Sequence, residues 1–203
     1  MPTLLFILGP PAVGKMTVGH EIAARTGFRL FHNHHAIDLA LRFFPFGSPP
    51  FGRLVGDFRR RIFEEVAASD LPGLVFTYVW AFNLESDAVA VEEYAAPFRA
   101  RGGRVLFVEL EATQEERLRR NATPFRLAEK PTKRDLEQSR ANLLELDAQY
   151  RMNSGGEFDR REDYLRIDNT ALPAAEVADR VIDRFTLPRT PVPRGAAPAP
   201  RSG

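Results

Sequence analysis

The sequence predicts an α/β fold of three layers, in which helices cover both faces of a five-stranded parallel sheet. Short apolar segments alternate along the chain with longer segments of helical periodicity. This alternation is typical of parallel strands that are joined by crossover helices. The chain of 203 residues is 44% hydrophobic, which is enough to bury a full core without disulfides or a structural metal.

Five segments are predicted as strands because they are short, apolar and bounded by turn residues. In chain order they are residues 3–9, 28–31, 74–81, 104–110 and 164–167. The first strand leads directly into a Gly/Pro loop, and the third is rich in β-branched and aromatic residues.

Seven segments are predicted as helices. In chain order they are residues 14–25, 35–44, 54–69, 86–101, 113–121, 132–151 and 173–185. Gly27 and Gly102 follow the first and fourth helices, where glycine readily adopts the left-handed conformation that ends a helix. Thr113 and Glu116 form a capping box at the start of the fifth helix, and Pro173 lies in the first turn of the last.

Composition narrows the classes of function. The absence of cysteine removes thiol catalysis, cysteine-based zinc sites and disulfides. A net charge of +1 argues against nucleic acid or an anionic membrane as a partner. No apolar run is long enough to span a bilayer, and no signal peptide is recognisable. We expect a cytoplasmic protein with one domain over residues 1–187 and a disordered Pro/Arg/Ala tail over 188–203.

A phosphate-binding motif lies between the first strand and the first helix. It has the Gly-x-x-x-x-Gly-Lys pattern of a P-loop, or Walker A motif, in the strand–loop–helix context that this motif requires. Its residues are Gly9, Pro10, Pro11, Ala12, Val13, Gly14 and Lys15. Glycines let backbone N–H groups turn inward around a phosphate, and the helix N-terminus adds partial positive charge. Lys15 is predicted to reach the β- and γ-phosphates of a nucleotide.

The two residues after the lysine bear on metal binding. Met16 stands where Ser or Thr usually supplies a hydroxyl to Mg²⁺, and Thr17 follows it. This Gly-Lys-x-Thr ending resembles that of the adenylate-type nucleoside monophosphate kinases, which hold the metal largely through water and phosphates. The resemblance implies ATP with Mg²⁺ bound through its phosphates and water, and Thr17 as an indirect ligand at most.

The loop and first helix also resemble those of the shikimate kinase and nucleoside monophosphate kinase group. Residues 14–19, followed by residues 23–27, are similar to the first helix of shikimate kinases. The resemblance implies a P-loop kinase fold with a substrate cap near residues 33–70 and a lid near 120–135. It also implies transfer of the ATP γ-phosphoryl group to a hydroxyl of a small-molecule acceptor.

The acceptor site departs from that group at two strand ends. His32 and His34 stand where shikimate kinases have an Asp-x-Asp pair, and Trp80 stands in place of a glycine run. Imidazoles can orient or deprotonate an acceptor hydroxyl, although a metal site or a polar turn with surface histidines is an alternative. Arg59 resembles an arginine that grips a substrate carboxylate in the group. The resemblance thus implies acceptor contacts for His32, His34, Arg59 and Trp80.

Three catalytic roles are predicted besides that of Lys15. Asp38, one turn into the next helix, is a candidate general base, with a helix-surface carboxylate as the alternative. Arg120 and Arg126 lie in the basic segment that is assigned to the lid, and the resemblance implies that they clamp charge on the transferring phosphoryl group.

Asn169 and Thr170 follow the last strand, where they either pack against adenine or cap the last helix. The sequence therefore predicts a small-molecule kinase. The alternative is a nucleotide-binding sensor or partner protein with little catalysis, which Met16 and the missing Asp-x-Asp favour.

Overall fold

The computed structural model describes residues 1–122 and 136–190. Five strands form one sheet in the order β2-β3-β1-β4-β5, and every neighbouring pair is parallel. The strands are β1 (Thr3–Leu8), β2 (Arg29–His32), β3 (Gly73–Thr77), β4 (Val105–Glu111) and β5 (Tyr164–Asp168). The predicted five-stranded parallel sheet is therefore confirmed.

Seven helices lie in the same described ranges, and each corresponds to a predicted helix. They are α1 (Lys15–Thr26), α2 (His34–Ala40), α3 (Pro49–Ala67), α4 (Glu85–Arg99), α5 (Gln114–Asn121), α6 (Leu136–Gln149) and α7 (Ala174–Phe185). None of these helices is both long enough and apolar enough to cross a membrane.

Several element ends differ from the prediction, among them the end of α2, which lies at Ala40 and not at residue 44, and the three that follow. Helix α3 begins at Pro49 and not at residue 54, because proline fits the first turn of a helix, where its missing N–H is not needed. Strand β3 ends at Thr77 and not at residue 81, so Trp80 lies in the loop after the strand. Helix α2 begins at His34 and not at residue 35, so the extended backbone of β2 ends at His32.

Two apolar cores cover the two faces of the sheet and account for the three layers. Every residue of β1 is buried, as expected for a central parallel strand with helices on both faces. Phe6 lies in the core that β1 forms with α2, α3 and α4, and its ring stacks on that of Phe107 at 5.1 Å. Ile7 lies in the opposite core, with α1 and α7.

The predicted helix ends are confirmed where their side chains or backbone can be checked. Gly27 ends α1 with a φ of 73°, and its N–H donates to Ala23 O. The Thr113 side chain accepts a hydrogen bond from the Glu116 N–H at the start of α5.

In the segment after the last helix, Thr190 N–H and Oγ1 both donate to Arg25 O, at 2.8 and 2.9 Å. The first residues of the predicted tail are therefore attached to α1.

Candidate active site

The loop between β1 and α1 has the backbone of a phosphate-binding loop. Gly9, Ala12 and Gly14 have positive φ values of 128°, 63° and 107°. Where residues with a left-handed backbone are interspersed with residues of right-handed backbone, successive N–H groups point toward the same spot, and an anion can bind there. Gly14 also directly precedes the N-terminus of α1, whose dipole favours negative charge there.

Lys15 folds back over this loop. Its Nζ donates hydrogen bonds to Gly9 O at 2.6 Å and to Pro10 O at 2.8 Å, and the side chain is buried. The ammonium group thus lies beside the loop that would hold a phosphate. A bound phosphate would compete with these two carbonyls for the lysine donors.

Arg120 joins three segments around the loop. Its Nη1 donates to Val13 O at 2.9 Å, and its Nη2 donates to Asn169 O at 2.8 Å and Thr170 O at 3.0 Å. Asn169 adds a second connection, because its Nδ2 donates to Val13 O at 2.9 Å. The guanidinium group of Arg120 therefore holds the phosphate loop against the loop after β5.

Glu116, Arg119 and Arg120 lie side by side on α5 and line the cavity next to the phosphate loop; we call these three residues the charged wall. Glu116 Oε1 accepts from Arg120 Nε at 2.7 Å, and Arg119 binds both carboxylate oxygens. Hydrogen bonds from Arg119, and then from Arg120, lower the pKa of Glu116 to about 2. Glu116 is therefore a carboxylate at neutral pH and fixes the guanidinium planes next to the loop.

A largely buried ion pair connects α5 to α6. Arg117 Nη1 donates to Asp147 Oδ1 at 3.0 Å, and Gln114 Nε2 donates to Asp147 Oδ2 at 2.8 Å. Burial opposes the charge of Asp147, but the hydrogen bonds from Arg117 and Gln114 hold its pKa below the usual value. The pair positions α6, whose residues Leu143 and Leu146 line the cavity described next.

One continuous cavity of about 840 Å³ is lined by the phosphate loop together with residues of α2, α6 and the segment after β5. Of the predicted site residues, those that line it are Pro11, Ala12, Val13, Gly14, Lys15, Met16, Thr17, His34, Arg120, Asn169 and Thr170. Gly9 and Pro10 belong to the loop without lining the cavity. The structure thus brings together the loop, the segment after β5 and one of the predicted histidines.

The predicted acceptor residues fall into two groups. His34 lines the cavity, and its Nδ1 lies 3.2 Å from Asp38 Oδ1, one helical turn away. His32 is buried, and its ring lies 3.7 Å from that of His35 and 6.4 Å from that of His34. The two predicted histidines do not share one face, because the backbone turns into α2 directly after β2.

Arg59 and Trp80 do not line the cavity. Arg59 is buried and binds Asn33 through its Nη2, which donates to both the backbone and the side-chain oxygen of that residue. Trp80 stacks on Phe82, with ring centroids 4.6 Å apart. Arg126 and most of the predicted lid, residues 123–135, lie outside the described residues, so the lid stays a prediction.

The site offers little for direct metal binding. In the part of the chain that the structure describes, no group of three or more His, Asp or Glu residues could hold a metal ion. Thr17 and Thr77 line the cavity, and the Glu116 carboxylate is bound to arginines. These residues fit a Mg²⁺ ion that is held by phosphates and water, and they do not fit one held by a carboxylate cluster.

Glu109 was not among the predicted site residues. It is fully buried on β4, and its carboxylate accepts from Asn153 Nδ2 at 2.8 Å, Ser154 N at 2.7 Å and Ser154 Oγ at 2.6 Å. Tyr164 OH donates to it as well, and burial together with this bond raises the pKa of Tyr164. A carboxylate within an otherwise apolar strand is the sequence signal that could have revealed this anchor.

Comparison with known proteins shows similarity in structure only, because no protein-family model and no curated protein matches the chain. The APS kinase of Mycobacterium tuberculosis, solved with AMPPNP and APS, is 14% identical and has a TM-score of 0.57, over 91% of this chain and 98% of that one. Shikimate kinase of Acinetobacter baumannii, solved with shikimate, is 19% identical with a TM-score of 0.50, over 92% and 94%. A tunicamycin resistance protein of Deinococcus radiodurans is 21% identical with a TM-score of 0.53, over 95% and 100%.

A sugar kinase and a gluconokinase are also similar in structure, at 13% and 16% identity. Identities this low show the fold alone. The chain has the three-layer α/β fold of the P-loop small-molecule kinases, which confirms the fold expected from the resemblance of the loop and first helix.

Proposed function

We propose that this chain is a kinase that transfers the γ-phosphoryl group of ATP to a hydroxyl of a small molecule. The observation that carries the proposal is the continuity of one cavity, whose walls include the phosphate loop, residues 169–174 and His34. Phosphoryl transfer requires donor and acceptor in one site, aligned on either side of the transferring group. The fold shared with small-molecule kinases supports the same reaction class.

The nucleotide would occupy the side of the cavity that residues 169–174, Leu143 and Leu146 line. The side-chain oxygen of Asn169 is buried and accepts no hydrogen bond within the described part of the chain. Buried polar atoms are nearly always satisfied, and a donor on a bound ligand would satisfy this oxygen. The amino group of a purine base can supply such a donor, which fits a purine nucleotide such as ATP.

His34 and Asp38 would handle the acceptor proton. A neutral imidazole that donates its Nδ1–H to Asp38 presents Nε2 as a proton acceptor. His34 lines the cavity and Asp38 does not, so we assign the base to His34 and a positioning role to Asp38. The acceptor hydroxyl would lose its proton to His34 as its oxygen bonds to the γ-phosphorus, and ADP would leave with the electrons of the broken P–O bond.

Basic residues would stabilise the charge on the phosphates. Lys15 and the loop N–H groups would bind the β- and γ-phosphates, and Arg120 would keep the loop in its binding conformation through Val13. A charge clamp by Arg126 stays a prediction. Mg²⁺ bound to the phosphates would neutralise part of their charge.

Acceptor-dependent release of ADP tests this proposal, with a panel of hydroxylated metabolites, nucleosides and antibiotics. We expect at least one acceptor to stimulate ADP release, and Lys15→Ala to reduce the stimulated rate by about 10²-fold or more. Glu21→Ala, on the outer side of the same helix, is the matched control and should retain the rate. Unchanged ATP affinity in Lys15→Ala, measured by calorimetry, would contradict the phosphate-loop assignment.

A nucleotide sensor is the second candidate function, and it is favoured by the lack of a metal-binding cluster of His, Asp and Glu residues within residues 1–122 and 136–190. The same assay separates the two. Tight ATP binding without stimulation by any acceptor would support the sensor and contradict the kinase.

A further inference from the structure

The cavity wall beside His34 is mostly apolar. His34, Ile37 and Leu41 are spaced three and four residues apart, so they lie on one side of α2, and all three line the cavity. Val79, from the loop after β3, lines it too. The rest of a molecule whose hydroxyl reaches His34 would therefore contact the hydrocarbon side chains of Ile37 and Leu41, one and two helical turns further along the chain.

Two of the polar acceptor atoms on this wall already bond within the protein. Thr77 Oγ1 accepts from the Asn33 N–H at 3.2 Å, and the Asn33 side-chain oxygen accepts from Arg59. Arg59 is buried and does not line the cavity, so it does not present its charge to an acceptor there. A sugar-like polyol would place hydroxyl groups against the hydrocarbon of Ile37, Leu41 and Val79, and each hydroxyl without a partner weakens binding about tenfold.

Phe46 extends the apolar wall to the mouth of the cavity. It is 75% exposed although it lines the cavity, and its ring lies 5.1 Å from that of Phe51. Phe43 is similarly exposed, but of the two rings only that of Phe46 lines the cavity. Its position suits an apolar ligand that is longer than the cavity is deep.

We infer that the acceptor is a neutral alcohol whose hydroxyl is attached to an apolar body, and that it is not a polyol or a sugar acid. The hydroxyl lies at His34, and the apolar body lies against Ile37, Leu41 and Phe46. This inference rests on the proposed function, since it names the acceptor class of the same site.

Binding of straight-chain alcohols tests the inference separately from catalysis. The affinities of butanol, hexanol and octanol are measured by calorimetry in the presence of a non-hydrolysable ATP analogue, with gluconate and shikimate for comparison. We expect affinity to rise roughly fourfold for each added methylene, because each one is transferred from water to hydrocarbon. Gluconate and shikimate should bind more weakly than octanol.

Two exposed phenylalanines provide matched variants that do not endanger the fold. Phe46→Ser should weaken octanol binding about tenfold and leave butanol nearly unchanged, because only the longer chain reaches the mouth. Phe43→Ser removes a ring that is 69% exposed and does not line the cavity, so it should change neither affinity.

Affinities that stay flat from butanol to octanol, or a shikimate affinity above that of octanol, would overturn the inference. Equal effects of Phe46→Ser and Phe43→Ser would overturn it as well, because the alcohols would then bind elsewhere. If affinity rises with chain length but neither these alcohols nor any acceptor of the panel releases ADP, apolar alcohols stand as the ligand class of the site and the proposed transfer fails.

Discussion

The neighbouring strand β4 requires a glycine at position 9 as much as the phosphate loop does. A Cβ atom at this position would lie 2.4 Å from Leu110 O, a backbone atom of β4 that cannot move without the sheet. Its φ of 128° is also strained for any residue that has a side chain. The first glycine of the motif is thus required by packing before any ligand binds.

We therefore predict that Gly9→Ala lowers the free energy of unfolding by at least about 2 kcal/mol. Gly56→Ala is the matched control: Gly56 lies within α3 with nothing within 4 Å of the added Cβ. That substitution should raise the free energy of unfolding by about 0.5–1 kcal/mol. Urea unfolding of both variants checks the prediction, and equal stability of the two would show that the contact with β4 is not rigid.

The pairing of His34 with Asp38 predicts a distinctive dependence of activity on pH. Protonation of the imidazole removes its capacity to accept a proton, so wild-type turnover should fall as the pH drops into the range where imidazoles titrate. His34→Gln should reduce turnover by about 10²-fold or more and remove this acid limb. Asp38→Asn should cause a smaller loss and shift the limb, since it changes the partner of Nδ1.

His35→Gln is the control for the neighbouring histidines, because His35 is exposed and does not line the cavity. Its pH profile should match that of the wild type. An unchanged acid limb in His34→Gln would show that another group takes the proton.

At the level of single residues, the left-handed backbone of Gly9 and Gly14 could be predicted, because the motif specifies both residue type and backbone conformation. The environment of Arg59 could not be predicted, because its partner Asn33 is 26 residues away in sequence. The resemblance placed Trp80 at the end of a strand predicted over residues 74–81, but β3 ends at Thr77, and its last bond to β1 is the one that the Tyr78 N–H donates to Ile7 O at 2.9 Å. Pairing with neighbouring strands, not side-chain preference, decides where such a strand ends.

Helix α5 illustrates how an element carries both a cap and a charged wall. Its first turn has Glu115 and Glu116, and its last turn has Arg119 and Arg120, which suits the helix dipole at both ends. The bounds of this helix could be predicted from Thr113 and the charge pattern. The contact of Arg120 with Val13 could not, because it depends on how α5 lies against the phosphate loop.

Acid titration of Glu116 should be visible in the stability of the protein. Its pKa is lowered from 4.5 to about 2 by hydrogen bonds from Arg119 and Arg120. A lowered pKa in the folded state contributes stability that is present above pH 4.5 and is lost as the pH falls toward 2. We predict that the free energy of unfolding falls more steeply across this window in the wild type than in Glu116→Gln.

Glu115→Gln provides the comparison, since Glu115 lies in the same helical turn and is exposed. Urea midpoints measured from pH 5 to pH 2 should fall in Glu115→Gln as they do in the wild type. Identical slopes for the two glutamine variants would mean that the bonds to Arg119 and Arg120 do not persist in solution, as is common for exposed ion pairs.

For the whole molecule, the alternation of strands and helices was sufficient to predict a parallel three-layer fold. The strand order was not predictable, because the register of β1 between β3 and β4 depends on long-range pairing such as that of Ile7 with Thr77. This order places the phosphate loop above the centre of the sheet. It also brings the segment after β5 beside the loop, where Asn169 and Arg120 connect the two.

Because these connections join the loop to α5 and β5, nucleotide binding should stabilise the molecule as a whole. A ligand at about 100 times its dissociation constant adds about 2.7 kcal/mol to the free energy of unfolding, which raises the melting temperature of a chain of this size by roughly 5–10 °C. We predict such a rise with a non-hydrolysable ATP analogue, and none in Lys15→Ala. Inorganic triphosphate at the same concentration should produce a smaller rise, because it binds the loop without reaching Asn169, Leu143 or Leu146. Equal shifts by the two ligands would contradict the assignment of that side of the cavity to the nucleoside, while leaving the loop as the phosphate site.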